Sequence, residues 1–292
     1  MKDQITSFKV EGIQARVFAV NSKESVREMQ RIHNASYTAT AAAGRALSAT
    51  AMMIMTLKNE TDRINAQIKC DGPIKGIVVA ANANGEVKVD IYQPMIYIPL
   101  KKSGKLDVAS AIGKGTLTIV KDLGLKNPYT GNVNIVSGEI AEDFTYYFAA
   151  SEQTPSVVAL GVLIDKNDTV IASGGYMIQL LPDCPEETIS YIEKRISEID
   201  SVTAMMEKGM NQLQMVEYIF ENRRVEILAT KDLNYKCDCS RDRIEKGISM
   251  LKKDDLKKMI SEDKGAEVTC HFCNSKYEFS EEELQKIYDK IK

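Results

Sequence analysis

Four of the six cysteines fall in the last fifth of this 292-residue chain, as Cys237-Asp238-Cys239 and Cys270-His271-Phe272-Cys273. In extended backbone, side chains two residues apart leave the same face, so the C-x-C pair presents its two sulfurs together. A C-x-x-C pair in a tight turn aims both sulfurs inward, and Asn274 can take the left-handed conformation that such turns use. Four thiolates complete a closed tetrahedral zinc site with Zn–S distances of about 2.3 Å. The spacing therefore predicts one zinc per chain, with Cys237, Cys239, Cys270 and Cys273 as ligands. Two readings of that metal stay open. It could merely hold a small terminal domain together. It could also be a redox site, because C-x-C lies near the upper Cα separation of about 6.8 Å for a disulfide, and strained disulfides form and break readily. Two local disulfides would then expel the metal.

Clustered thiols of this kind fit a reducing compartment and metal binding better than an export disulfide framework. Met1-Lys2-Asp3-Gln4-Ile5 places an acid where a signal peptide needs positive charge, so the expected location is the cytoplasm. The stretch Tyr37 to Leu57 carries one charge, Arg45, but is mostly Ala and Thr, and reads as a buried helix of a soluble protein with no membrane partner. Net charge is -3, and residues 231–292 carry 14 basic against 14 acidic side chains, which argues against nucleic acid as a partner. An enzyme is not expected. Gly113-Lys114-Gly115 is too short for a nucleotide loop, and a fully coordinated zinc leaves no open position for water. His271 reads as a turn residue, His33 as a helix-face packing residue, and Cys70 and Cys184 as ordinary thiols.

Along the chain, alternation predicts strands over Ile5 to Val20 with a break at Glu11-Gly12, then Arg63 to Lys69, Gly76 to Ala81 and Glu86 to Tyr92, the last two joined by an Asn84-Gly85 hairpin turn. Further strands are expected over Thr116 to Val120, Val133 to Val136, Val157 to Ile164 and Thr169 to Leu180. Helical spacing marks Glu24 to Asn34, Thr38 to Lys58, where Gly44 and Ala51 leave room for a close neighbour, and Ile140 to Ala150. Strands in hairpin-like runs with helices in separate blocks give an α+β fold class. After Pro182 and Pro185 a connector follows. Ile189, Ile192, Ile196 and Ile199 form one apolar stripe, and Met205, Met206, Met210, Leu213, Met215, Val216 and Ile219 extend it. Such a stripe is expected to lie on the N-terminal sheet, covered in part by the terminal domain. Ser280 with Glu283 fits a capping box for a last helix over Glu281 to Ile291.

The whole chain resembles the heat-shock protein 33 family, the redox-regulated chaperonins of about 33 kDa. The resemblance is carried by Gly44-Arg45-Ala46-Leu47, Asp71-Gly72-Pro73-Ile74-Lys75-Gly76, Val136-Ser137-Gly138-Glu139-Ile140-Ala141-Glu142-Asp143-Phe144, Ser151-Glu152-Gln153-Thr154-Pro155-Ser156 and, most specifically, the two cysteine pairs. It implies an N-terminal α+β chaperone domain over residues 1–180, a helical linker over 181–230 and a zinc-binding redox-switch domain over 231–292. It also implies that the four cysteines bind zinc in the reduced, inactive state. Oxidation then releases zinc, unfolds the terminal domain and frees a surface that holds unfolding client proteins without ATP, commonly as a homodimer. The expected redox-active disulfides are Cys237–Cys239 and Cys270–Cys273, whose small loops are the easiest to close. The alternative is a purely structural zinc module serving protein or nucleic-acid interaction.

Overall fold

The structure, a computed structural model, describes residues 2–291. The chain divides between Lys236 and Cys237 into two compact units. The first contains β1 (Gln4–Val10), β2 (Ala15–Asn21), α1 (Lys23–His33), α2 (Tyr37–Met53), β3 (Arg63–Cys70), β4 (Gly76–Asn82), β5 (Glu86–Ile91), α3 (Val108–Ile112), β6 (Gly115–Asp122), β7 (Tyr129–Asn134) and α4 (Ala141–Ala150). It continues through β8 (Ser156–Ile164), β9 (Val170–Leu180), α5 (Glu186–Glu198), α6 (Val202–Glu207), α7 (Gln212–Ile219), β10 (Val225–Asp232) and β11 (Asn234–Tyr235). One sheet runs β10-β1-β2-β9-β8 and the other β11-β5-β4-β3-β6-β7. Neighbours are antiparallel except β11, which lies parallel to β5. The α+β class follows from these two meandering sheets and the helices packed on them.

Helix α2 packs against strands of both sheets, β2, β8 and β9 on one side and β3, β4 and β5 on the other. That position explains its composition. A helix covered all round needs small or apolar side chains on every face, and every residue from 38 to 53 except Arg45 is buried. At Gly44 an added Cβ would sit 2.9 Å from Val162 and 3.0 Å from Val26, so only glycine allows the approach. Most of its buried hydroxyls are satisfied, Thr38 Oγ1 being the exception: Ser48 donates to the Gly44 carbonyl at 2.8 Å, Thr50 to that of Ala46 at 2.8 Å, and Ser22 lies 2.7 Å from Ser48 and 2.9 Å from Ser173. Arg45 Nη1 reaches Glu139 Oε2 at 2.7 Å, with Lys101 on the other carboxylate oxygen at 2.5 Å. Burial works against the Glu139 charge, but the two cations outweigh it and hold its pKa below the ordinary carboxylate value. Among the described residues no helix is long and apolar enough to cross a membrane.

The opposite face of the β10-β1-β2-β9-β8 sheet carries a second core. Phe8, Val10, Val17, Ala19, Tyr176 and Ile178 of the strands pack with Ile192 of α5, Val202 and Met205 of α6, and Met215, Val216, Ile219 and Phe220 of and after α7. The apolar stripe of the connector therefore lies on sheet, with Met206 and Met210 at its margin.

Two stretches differ from their sequence expectation. The strand expected over Val133 to Val136 is β7, which ends at Asn134. After Ile135, whose N–H still donates to the Gly115 carbonyl at 2.9 Å, the Asp143 carboxylate takes the amides in place of a strand partner: Oδ1 accepts from Val136, Ser137 and Gly138 N–H at 2.9, 3.0 and 3.3 Å, and Oδ2 from Ile140 N–H at 3.0 Å. Its polar start, Tyr129 to Asn132, is strand only by pairing with β6. Residues 231–236, grouped by composition with the cysteines, lie in the first unit: β10 pairs with β1 from Val10↔Val225 to Gln4↔Asp232, and β11 follows on β5. Partners more than 200 residues away leave no local signal.

The second unit holds α8 (Arg241–Ile248), α9 (Lys253–Ser261), the hairpin β12 (Gly265–Thr269) and β13 (Lys276–Ser280), and α10 (Glu281–Lys290). Its core is Ile248, Leu256, Phe279, Leu284 and Ile287. The expected capping box is formed: Glu283 N–H donates to Ser280 Oγ at 3.3 Å, and Ser280 N–H to Glu283 Oε2 at 2.9 Å.

Candidate metal centre

The four cysteines converge within the second unit, each from a short-range device. Cys237 and Cys239 flank Asp238 in the stretch without regular secondary structure just before α8, where the Ser240 hydroxyl accepts from Arg243 N–H at 3.3 Å and starts the helix. Arg243 also pairs with the Asp238 carboxylate and donates to its carbonyl at 3.1 Å, which fixes the residue between the two thiols. Cys270 and Cys273 occupy the turn of the β12–β13 hairpin. There Cys270 O accepts from Cys273 N–H at 3.3 Å and Asn274 N–H at 2.7 Å, while Cys270 N–H donates to Ser275 O at 2.9 Å. Asn274 has φ 57°, the left-handed conformation expected of it.

The four Sγ atoms all lie within 4.8 Å of one another. Cys237 and Cys270 sulfurs are 3.7 Å apart and those of Cys239 and Cys273 3.3 Å. The edge of a tetrahedron with metal–sulfur bonds of about 2.3 Å is about 3.8 Å, so the spacing suits one ion at the centre. All six cysteines are free thiols. Burial pushes the Cys237 and Cys270 thiols up. Burial also acts on Cys273, but the Ser275 hydroxyl and N–H and the neighbouring sulfurs outweigh it and bring that thiol down to about 7. A thiol so lowered gives up its proton to a metal near neutral pH.

Sequence reasoning missed two hydroxyls at this site. The Tyr277 O–H donates to Cys239 Sγ at 3.1 Å, and that bond pushes the phenol up to about 12. Ser275 Oγ lies 3.2 Å from Cys273 Sγ. Both follow C-x-x-C within four residues, Ser275 at the end of the turn and Tyr277 on the returning strand, and that proximity was the available signal. The remaining thiols are elsewhere: Cys70 ends β3, its thiol pushed up by burial, and Cys184 lies in the loop before α5. Among the described residues the metal-competent group is made of the four cysteines and does not include His271. His33 is buried on α1 with Nε2 2.8 Å from the Val89 carbonyl, the packing role expected of it.

Two sheets clasping a buried helix, followed by a separate small unit with four converging thiols, define a two-unit α+β protein with a terminal cluster of four thiols that could hold a metal ion. The profile of the family described as Hsp33 protein matches residues 3–280, and the chain belongs to that family. The 33 kDa chaperonin of Agathobacter rectalis is 45% identical over 287 residues, covering 98% of this chain and 100% of that one. That of Acetivibrio thermocellus is 44% identical over 287 residues, covering 98% and 97%. The crystal structure of the 33 kDa chaperonin (heat shock protein 33 homolog) from Thermotoga maritima superposes with TM-score 0.88 at 36% identity, over 99% of this chain and 98% of that one.

Proposed function

We propose that this chain is a redox-regulated, ATP-independent chaperone that holds unfolding proteins under oxidative stress. The observation that carries the reading is the convergence of four thiols to within 4.8 Å inside a unit with so few buried side chains of its own. Cys237, Cys239, Cys270 and Cys273 would hold one zinc in the reduced state. The ion supplies a four-point cross-link, worth on the order of 10 kcal/mol to a small fold.

Oxidation removes the ligands by joining Cys237 to Cys239 and Cys270 to Cys273, the pairs with the shortest loops to close. The second unit then unfolds from Cys237 onward. The chain just before it is β11, a two-residue strand, and β10, an edge strand of its sheet. β11 is held by two paired residues and β10 is paired on one side only, and beyond them lie α5, α6 and α7. Release of these helices offers Ile192, Met205, Met215 and the sheet side chains beneath them to apolar client segments, a population shift that needs no nucleotide. In this reading residues 1–180 form the chaperone body, 181–230 the connector and the segment from 231 the switch. The active form is a homodimer in the cytoplasm, with no nucleic-acid or membrane partner and no catalysed reaction.

The test is zinc content before and after hydrogen peroxide, measured beside suppression of aggregation of an unfolding client. Zinc near one per chain, lost on oxidation as holding activity appears, is the expected result. Holding activity that switches on with zinc retained sinks the mechanism. Peptide mapping should find the two local disulfides; a dominant Cys239–Cys270 or Cys184 link excludes the pairing.

A further inference from the structure

The four sulfurs do not receive the same donors. The Cys237 sulfur is bonded by the N–H of Cys239, that of Cys270 by the N–H groups of Phe272 and Cys273, and that of Cys273 by the Ser275 N–H and hydroxyl. These are local to each cysteine's own turn, within two or three residues of the sulfur. Cys239 instead takes an O–H from Tyr277, 38 residues further on, across the hairpin. Tyr277 is placed by β13, where it pairs with Val268 of β12, and its ring packs at the margin of the Phe279–Leu284 core. The phenol is thus set by the sheet and aimed at one thiol.

We propose that Tyr277 is a positioning residue that holds Cys239 as a metal ligand and restrains its reaction with oxidants. The inference rests on the zinc reading above and deepens it by naming what sets the sensitivity of one ligand. An O–H donated to a thiolate draws electron density from sulfur, which lowers its nucleophilicity and orients its lone pair. Nucleophilicity is what oxidation requires. The sulfur of Cys239 attacks one peroxide oxygen: an S–O bond forms, the O–O bond breaks and hydroxide leaves. The Cys237 thiolate then displaces a second hydroxide from that sulfur and closes the S–S bond. Two thiolates lose two electrons, and one hydrogen peroxide takes them up. With the phenol in place the first attack is slowed at Cys239; without it that step is released while the fold is unchanged.

The experiment compares full-length, zinc-loaded wild type with Tyr277→Phe and Ser275→Ala. Zinc per chain is measured first, then the rate at which iodoacetamide alkylates each of the four cysteines at low conversion, resolved by fragment mass spectrometry, and then zinc release by hydrogen peroxide. Phe keeps the ring in its packing and removes only the hydroxyl. In Tyr277→Phe, alkylation of Cys239 should rise about tenfold, the scale of one hydrogen bond to a metal ligand, with the other three within about twofold, and zinc release should quicken. Ser275→Ala should leave Cys239 unchanged. Equal acceleration of all four thiols would mean that Tyr277 only braces the hairpin, and an unchanged Cys239 rate would mean that the bond does nothing; either overturns the inference while a zinc-loaded wild type keeps the metal reading intact. A wild type that takes up no zinc overturns both.

Discussion

The two units of this chain reach a folded state by different means. In the first, two sheets enclose α2, and the apolar cluster around it runs from Ile5 to Leu233 with Leu47, Met52, Ile64 and Phe144 out of contact with water. In the second, the buried side chains among the described residues are the five of its apolar core and Cys270. Apolar burial stabilises in proportion to area, at about 25 cal/mol per Å², so the first unit stands on its core. The second cannot do so to the same degree, and a domain of its size ordinarily needs a metal or disulfide. If, as proposed, a metal held by four sulfurs stabilises the second unit, that unit can be switched by sulfur chemistry; a unit that rests on buried methyl groups cannot.

The largest effect expected from that contrast is at the cysteines. Cys270→Ser should remove a ligand from the more buried end of the site and unfold the second unit, forfeiting a share of the roughly 10 kcal/mol of metal stabilisation. Hydrogen exchange should then accelerate across 237–291 and next across α5 to α7, while β2, β3 and β9 stay protected. Full zinc content with unchanged protease resistance in this variant would break the comparison. Zinc affinity of the intact protein should fall as acid protonates the thiolates, a titration read by a chromogenic chelator.

The converse change is Leu47→Ala in α2. It removes a fully buried side chain between the sheets and should cost about 2–5 kcal/mol in urea unfolding of the first unit. Zinc stoichiometry should stay at the wild-type value, and a loss would show that the units are not independent. Ser280→Ala tests the second unit more gently. Loss of its cap on α10 should cost about 1 kcal/mol, visible as lower thermal stability of the zinc-loaded protein and greater ease of metal extraction.

The smallest effect expected belongs to His33. Burial lowers its pKa below the usual value of 6.5, although the bond to the Val89 carbonyl opposes this. Above pH 6.5 both folded and unfolded chains carry it neutral and it contributes no pH dependence. Below that value the unfolded chain binds the proton first, so stability falls as pH drops, by at most about 1.4 kcal/mol per pH unit. His33→Gln should flatten this part of the stability profile of the first unit and leave the second unit unaffected. An unaltered slope would mean that His33 binds its proton equally well in the folded and unfolded chains.

Local rules made much of the molecule legible. Two cysteine pairs, Asn274 after the second, and Ser280 with Glu283 each act over a few residues, and the turn, the left-handed residue and the capping box stand where their spacing put them. Alternation located β1 to β6, β8 and β9 and the α+β class for the same reason, since a half-buried strand writes its faces into a period of two. Contacts across long sequence distances were decided only by the tertiary structure. Val225 to Asp232 became an edge strand because β1 was there to pair with it, and beyond β7 the Asp143 carboxylate took the amides of Val136, Ser137, Gly138 and Ile140. Tyr277 met Cys239 because a hairpin register carried a phenol across to a thiol 38 positions earlier. Periodicity records which face a residue shows, but a partner's identity depends on how whole elements pack, and that information resides in no short segment of the chain.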